Sequence, residues 1–407
     1  SIIFSAGMNP RLYGYIAQFE DFFPNTHGYI KKKIVLKVSD YRSALIQGKF
    51  LAKKGLWVSE YRIESGLNCG GHAFATDGFL MGPILDEFKK KRKELIEEVY
   101  AICKEALLVN NRPATKKPLA LKITAQGGVG TAQEHDFLIK HYELDSVGWG
   151  TPFLLVPEVT TVDDKTREQL VKAKEKDLYL SNVSPLGVPF NNLRNASKEV
   201  EKLQKVEDGK PGSPCPRKYL AFSTEYDEKG VCTASRLYQK NKIDEHGISD
   251  EITDKVCLCM GLSAAAVVAN NIETRESKAV SICPGPNMAY FDKLLSLEDM
   301  TKHIYGLDNF MSRIDRPNMF IKELNLYMDY LTKKLEEAKK DWNKKQERYF
   351  DRFFENMNEG IAYYKNLFEE LKDKCHPTND ETLINLEKNK GKLAKLSLEV
   401  ESLKIIQ

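Results

Sequence analysis

The segment Cys69-Gly70-Gly71-His72 carries the residue type best suited to proton transfer. It follows the run 61–64, which predicts a short strand, so the histidine is expected at the carboxyl edge of a sheet. Histidine titrates near neutral pH and can give or take a proton there. We interpret His72 as a candidate catalytic acid/base. A hydrogen-bonded structural histidine is the alternative.

A second candidate site is rich in glycine. Gly127-Gly128-Val129-Gly130-Thr131 follows a buried-type strand predicted over 119–124, and Gly150-Thr151 ends the next predicted strand. Successive glycine amides can point at one anion, and the N-terminus of a following helix favours negative charge. In (β/α)₈ barrels a phosphate often lies between the last two strand ends, so the pair predicts a phosphate cup. A purely structural glycine turn is the alternative.

Five of the eight cysteines lie between residues 207 and 300, among turn residues. Cys215, Cys232, Cys257 and Cys259 are candidate metal ligands, because four thiolates can hold zinc or an iron–sulfur cluster. Cys257-Leu258-Cys259 is interpreted as part of a strand with both thiols on one face. The spacing matches neither a common zinc pattern nor a ferredoxin run, so ordinary buried thiols are the alternative.

The elements that must position these residues alternate between short β-like runs and longer helical runs. Such alternation is typical of a parallel α/β sheet, either a barrel or a doubly wound sheet. In both, active sites lie at the carboxyl ends of the strands. The five predicted strands span residues 2–5, 34–38, 61–64, 119–124 and 146–149.

The pattern changes after residue 205. Residues 206–300 predict a cysteine-containing mixed region that acts as an insert or lid, and 301–407 predict a helical region. An aromatic stripe in the last region predicts a C-terminal helical hairpin that packs on a partner helix or forms a homo-oligomer. The stripe consists of Tyr349, Phe350, Phe353, Phe354, Tyr364 and Phe368.

The order of these motifs resembles the nitronate monooxygenase family and the related flavin-dependent enoyl-(acyl carrier protein) reductases. In that family the sixth strand ends in glycine-glycine-histidine, as at Gly70-Gly71-His72. The seventh ends in a paired-glycine phosphate loop, as at Gly127-Gly128, and the eighth in glycine-threonine and an aromatic, as at 150–153. Leu155-Val156-Pro157-Glu158 and the segment 184–195 continue the resemblance, which covers about half of the chain.

The resemblance implies an FMN-dependent oxidoreductase on a TIM-barrel-type (β/α)₈ fold. His72 would be the acid/base beside the flavin, and the substrate would be a small molecule or an acyl group with an acidic α-carbon or a conjugated double bond. Oxygen, NAD(P)H or an electron carrier would regenerate the cofactor. Ser65 departs from the glutamine or glutamate that the family often has. The implied FMN contacts are Ser65, Gly70, Gly71, Gly127, Gly128, Gly150 and Thr151.

In this comparison residues 1–205 match strands four to eight of the barrel. Five strands cannot close an eight-stranded barrel. The first strands are therefore expected on an upstream segment of the same polypeptide or on a second chain.

The composition of the chain limits which partners and which cellular compartment are expected. The 61 basic and 58 acidic residues give a formal net charge of +3, which offers no reason to expect nucleic acid or an anionic membrane surface as a partner. No apolar run approaches a membrane span, and the cysteine usage is ordinary for the cytoplasm. Two other functions stay open: a barrel enzyme that binds a phosphorylated substrate without flavin, and a non-catalytic scaffold with a helical interaction tail.

Overall fold

The computed structural model describes residues 1–75, 77–313, 315–371 and 380–406. Strands and helices alternate in the first half of the described chain, and helices predominate after residue 193. The strands are β1 (Ile2–Phe4), β2 (Ile34–Val38), β3 (Val58–Glu64), β4 (Lys122–Gln126), β5 (Ser146–Gly148), β6 (Leu178–Ser181) and β7 (Phe190–Leu193). The helices are α1 (Pro10–Ile16), α2 (Tyr41–Ala52), α3 (Met81–Val109), α4 (Ala132–His141), α5 (Asp164–Lys172), α6 (Ser197–Glu207), α7 (Arg236–His246), α8 (Asp250–Thr253), α9 (Leu258–Ala269), α10 (Leu297–Ile304), α11 (Met319–Ala338), α12 (Lys344–Leu371) and α13 (Asp380–Ile406).

These elements form two compact units. The sheet unit comprises Ser1–Leu67, Ala75–Gly148 and Pro317–Gln407, and the cysteine unit comprises Asn68–Phe74 and Trp149–Arg316. The boundaries at residues 205 and 300 that the sequence pattern indicates stay a prediction. The C-terminal helices belong to the sheet unit, where α11 and α12 pack on α3.

The sheet unit contains the predicted parallel α/β arrangement. Strands β1 to β5 form one open parallel sheet in the order β1-β2-β3-β4-β5. The register runs from Ile2 beside Ile34 to Gln126 beside Gly148. Helix α2 connects β2 to β3 and α3 connects β3 to β4, so each pair of parallel strands is joined by a helix. Branched apolar residues favour the strand conformation. In β2, for example, four of the five residues are buried.

Helix α3 joins the sheet to the C-terminal helices. Its buried residues recur at helical spacing along 29 residues, and it contacts α2 as well as α11 and α12. Helix α13 packs on both α11 and α12. The expected helical hairpin is therefore a layer of three long helices. The aromatic stripe is buried within the chain, with Phe350, Phe353 and Tyr364 each at most 1% exposed.

The cysteine unit has few strands. Strands β6 and β7 pair antiparallel, from Leu178 beside Leu193 to Ser181 beside Phe190. Its main apolar cluster combines α5 and α10 with the segments around Leu155 and Met288, both of which are fully buried. Cys257-Leu258-Cys259 is not the predicted strand: Cys257 is the N-cap of α9, and Cys259 lies in its first turn. The apolar stretch after it has helical length, which outweighs the local alternation.

The described helices include none that is both long enough and apolar enough to cross a bilayer.

Candidate functional site

The Gly-Gly-His segment lies in the cysteine unit, where it extends the β6–β7 sheet. Ala73 N donates to Pro189 O at 2.9 Å, and Asn191 N donates to Gly71 O at 2.9 Å. His72 stands opposite Phe190 in this antiparallel bridge. These two backbone hydrogen bonds therefore hold the histidine in a strand-like segment rather than in a loose loop.

The His72 ring is half-buried and contacts Ser184 and Phe190. Nε2 lies 2.7 Å from Ser184 Oγ, and the ring meets Phe190 edge to face with centroids 4.9 Å apart. Ser184 is fully buried, and its hydroxyl also accepts from Leu186 N at 3.3 Å. A hydroxyl that can both donate and accept suits either proton state of an imidazole. Ser184 therefore orients the ring, and its burial makes it unsuitable as an exposed nucleophile.

Gly70 sits at a close backbone crossing in the same unit. A Cβ at this position would lie 2.5 Å from Cys283 O and 3.1 Å from Gly285 N. Gly71 N also donates to Cys283 O, at 3.2 Å. Only glycine fits at Gly70 without a shift of the backbone of 283–285. The glycine predicted to contact FMN thus has a structural reason to be there.

Gly150 and Thr151 lie beside that crossing. Gly285 N donates to Thr151 Oγ1 at 3.0 Å, so the threonine oxygen already accepts one hydrogen bond within the protein. A Cβ at Gly150 would meet no atom within 4 Å. The cysteine unit thus brings Gly70, Thr151 and the 283–285 turn into direct contact and leaves open space beside Gly150.

The predicted glycine loop belongs to the sheet unit. Gly127 and Gly128 have φ angles of +113° and +80°, which favour glycine. Gly130 N donates to Glu134 Oε2 at 2.8 Å, and Met319 N, at the start of α11, donates to Oε1 at 2.7 Å. A buried carboxyl group in the first turn of α4 thus already accepts a hydrogen bond from the Gly130 amide, which the sequence pattern suggests as a phosphate contact. The role of Gly127 and Gly128 as phosphate contacts stays a prediction.

Polar side chains cover one face of the sheet near the carboxyl ends of β2, β3 and β4. Lys37 Nζ lies 2.9 Å from Glu64 Oε2, and Gln126 Nε2 donates to Glu64 Oε1. Arg62 pairs with Glu60 at 2.7 Å on β3. All of these side chains are partly buried, so this polar face of the sheet is only partly exposed to solvent.

This polar face lies outside the sites predicted from the sequence. The alternation of Glu60, Arg62 and Glu64 with buried Tyr61 and Ile63 was available as a signal. Strands of a parallel sheet are usually apolar on both faces, so regular polar positions on β3 indicate a face that meets something other than a helix.

Ser65, also predicted to contact FMN, follows β3 and is buried. Its hydroxyl donates to Glu323 Oε1 at 2.5 Å, and Met81 N, at the start of α3, donates to Oε2 at 2.8 Å. The Tyr364 hydroxyl lies 3.4 Å from Oε2. Burial raises the pKa of Glu323 to about 7, although all three hydrogen bonds favour the ionised form. Ser65 is thereby tied to a carboxyl group more than 250 residues away in sequence.

The four candidate metal ligands all lie in the cysteine unit as free thiols. Cys232 and Cys257 are buried, whereas Cys215 and Cys259 are partly exposed. Burial raises the pKa of Cys232, and the other three thiols raise it further. Within the described ranges, no three His, Cys, Asp or Glu side chains are grouped so that they could hold a metal ion.

No model of a known protein family matches the chain, and a search of curated proteins finds no significant match.

Proposed function

We propose that this chain is the main part of an FMN-dependent oxidoreductase built on a (β/α)₈-type sheet. The observation that carries the proposal is the strand order of the sheet unit. Doubly wound sheets reverse their strand order at a switch point, whereas barrel strands follow one another in sequence around the sheet. The order β1-β2-β3-β4-β5, without reversal, supports the barrel-type arrangement.

The edge strand β1 supports the expectation of further strands. Ile2 and Ile3 are 38% and 52% exposed, and among the described residues β1 stands at the edge of the sheet, paired with β2 on one side. An open apolar edge is prone to pair with another strand. An upstream segment or a second chain would supply that strand in the proposed assembly.

The sheet unit carries hydrogen-bond donors that could contact FMN. Lys37 and Gln126 present N–H groups near the carboxyl ends of their strands, where ring oxygens and nitrogens of a flavin can accept hydrogen bonds. Gly127 and Gly128 would supply amides to the phosphate. FMN bound there would supply an acceptor for a hydride or for electrons from the substrate.

His72 is the proposed acid/base. Ser184 fixes its Nε2 side and Phe190 its ring plane, so the imidazole would take a proton from an acidic α-carbon, or give one to a reduced acyl substrate, without reorienting. Ser184 is a positioning residue in this scheme. Oxygen, NAD(P)H or an electron carrier would complete the cycle.

A flavin titration of the 407-residue chain tests the proposal. We expect FMN to bind with a change in flavin fluorescence, and riboflavin, which lacks the phosphate, to bind about tenfold more weakly or worse. Gly128→Ala should weaken FMN binding and leave riboflavin binding unchanged. Gly247→Ala is the matched control, since Gly247 has a similar φ of +77° and open space around it. A folded chain that binds neither flavin, or both equally, would contradict the proposal.

The role of His72 needs a separate measurement. We expect His72→Ala to bind FMN like the wild type and to lose turnover of nitroalkanes or enoyl thioesters by about a hundredfold or more. Ser184→Ala should lower turnover less and alter its pH profile, because it changes the environment of the imidazole. Unchanged turnover in His72→Ala would remove the histidine from catalysis.

A further inference from the structure

A basic pocket lies between the start of α12 and the turn that precedes α3, both of which belong to the sheet unit. It encloses about 300 Å³, a volume that suits a small molecule. Its described lining consists of four cationic side chains, one carboxylate and one tyrosine: Lys344, Lys345, Arg348, Arg352, Asp77 and Tyr349. Four cations and one carboxylate give this basic pocket a formal charge of +3. The 407 residues together also carry a formal charge of +3, so the rest of the chain is balanced.

The cations of the basic pocket lie on one face of α12. Lys344, Arg348 and Arg352 follow one another at intervals of four residues, and side chains at this spacing are neighbours on a helix. Like charges four residues apart destabilise a helix, and cations in the first turn oppose the helix dipole. A bound anion relieves both of these repulsions.

Three of the four cations form no ion pair within the described ranges: Lys344, Lys345 and Arg348. The nearest acidic residues of α12 in sequence are Glu347 and Asp351, which lie outside the described lining of the pocket. Asp351 is paired with Lys404 at 2.6 Å. The positive charge of the three cations is therefore available to a ligand.

The turn that precedes α3 forms the opposite wall and is fixed on α12. Arg352 Nη1 lies 3.1 Å from Asp77 Oδ2, and Asn356 Nδ2 donates to Asp77 O at 2.6 Å. A Cβ at Gly78 would lie 2.9 Å from Phe353 O, so this close approach requires glycine. Contacts with α12 itself thus hold the wall in place, and the Asp77 carboxylate offsets one of the four cations.

We propose that the basic pocket binds a diphosphate group, either as inorganic diphosphate or as part of a nucleoside diphosphate. One phosphate group carries a charge of about −1.5 to −2 at neutral pH, so two linked phosphates match three cations better than one does. The Arg348 guanidinium can donate two parallel hydrogen bonds to one phosphate, and lysine ammonium groups bind phosphate as point charges. The basic pocket shares no residue with the proposed flavin site and does not depend on the flavin proposal.

Calorimetric titration of the full chain at an ionic strength of about 0.15 M tests the proposal. We expect inorganic diphosphate to bind at least about tenfold more tightly than orthophosphate, with an affinity that falls as salt is added. ADP in the same titration distinguishes the two sources of the diphosphate group. Tighter binding of ADP than of inorganic diphosphate identifies a nucleotide, and equal or weaker binding of ADP identifies the diphosphate group alone.

Substitutions in the lining test whether the binding belongs to this pocket. Arg348→Gln and Lys344→Gln should each weaken diphosphate binding by about tenfold. Asp77→Asn should strengthen it by about threefold or more, because the carboxylate that repels the anion is lost. Asparagine also tolerates the φ of +41° at this position. Lys390→Gln is the matched control, since it removes one cation from an exposed position of α13 outside the described lining.

Further measurements separate loss of binding from loss of fold, and this proposal from the flavin proposal. Arg348→Gln without ligand should melt no lower than the wild type, because it removes like-charge repulsion from α12. It should bind FMN like the wild type, and Gly128→Ala should bind diphosphate like the wild type. A chain that binds diphosphate but no flavin supports the basic pocket and removes the flavin function. Diphosphate binding that is no tighter than orthophosphate binding, or that is equal in the wild type and a folded Arg348→Gln, overturns the proposal.

Discussion

Replacement of Glu323 by glutamine should remove a specific pH dependence from the stability of the sheet unit. The carboxyl group is 2% exposed and contacts the Ser65 hydroxyl, the Met81 amide and the Tyr364 hydroxyl. Burial raises its pKa to about 7, since desolvation outweighs these three donors. Glutamine does not ionise and keeps one of the two acceptor oxygens.

The direction of the pH dependence of stability follows from the raised pKa of Glu323. The folded chain holds the Glu323 proton more tightly than the unfolded chain, so the stabilisation is fully present below the unfolded value of 4.5 and is lost as the pH rises through about 7. Each unit of pKa difference corresponds to about 1.4 kcal/mol. Integrated between about pH 5 and about pH 8.5, the free energy of unfolding attributable to this group falls by about 2.5 kcal/mol.

Urea unfolding followed by circular dichroism at both pH values measures the effect. We expect the stability of Glu323→Gln relative to the wild type to rise by about 2–3 kcal/mol from the lower to the higher pH. Glu97→Gln, at an exposed position of α3, should show no such trend. If the wild type and Glu323→Gln keep a constant difference across this range, the carboxyl group is not held as a neutral acid and the reasoning fails.

Three further substitutions test close packing and capping. Gly70→Ala should destabilise the cysteine unit by about 1–3 kcal/mol in thermal or urea unfolding, because its Cβ would lie 2.5 Å from Cys283 O. Gly150→Ala, with nothing within 4 Å, should be neutral to within about 0.5 kcal/mol, and equal effects at the two glycines would contradict the crossing. Asn318→Ala should cost about 1 kcal/mol, since its side chain accepts from the Phe320 and Ile321 amides at the start of α11; a stability unchanged from the wild type would show that the cap contributes nothing.

The parallel sheet was predictable because its signals are local. The segment 34–38 is branched and apolar except for Lys37, and 41–54 has a helical period with a buried face, so each element can be recognised from about ten residues of sequence. Successive strand–helix–strand units then leave few topologies. The strand ends differ from the prediction by up to three residues, as in β3, which begins at Val58 instead of Tyr61.

The surroundings of the candidate sites were not predictable in the same way. Ser184 lies 112 residues from His72, and the partner of Ser65 lies on α11. Such pairs depend on tertiary packing, for which a single sequence carries no periodic signal. The mistaken strand at Cys257 has a different cause, since three residues of alternation precede an apolar helix whose length was the better guide.

Two buried carboxyl groups explain why the C-terminal helices belong with the sheet. Glu134 accepts from the first amide of α11, and Glu323, carried by α11, accepts from the first amide of α3. A buried carboxyl group without such donors would cost several kcal/mol, and helix N-termini have unsatisfied amides to offer. Each buried carboxyl group therefore needs the helix amide that donates to it. The C-terminal helices thus satisfy polar groups of the sheet unit, because α11 provides hydrogen-bond partners for both Ser65 and Glu134.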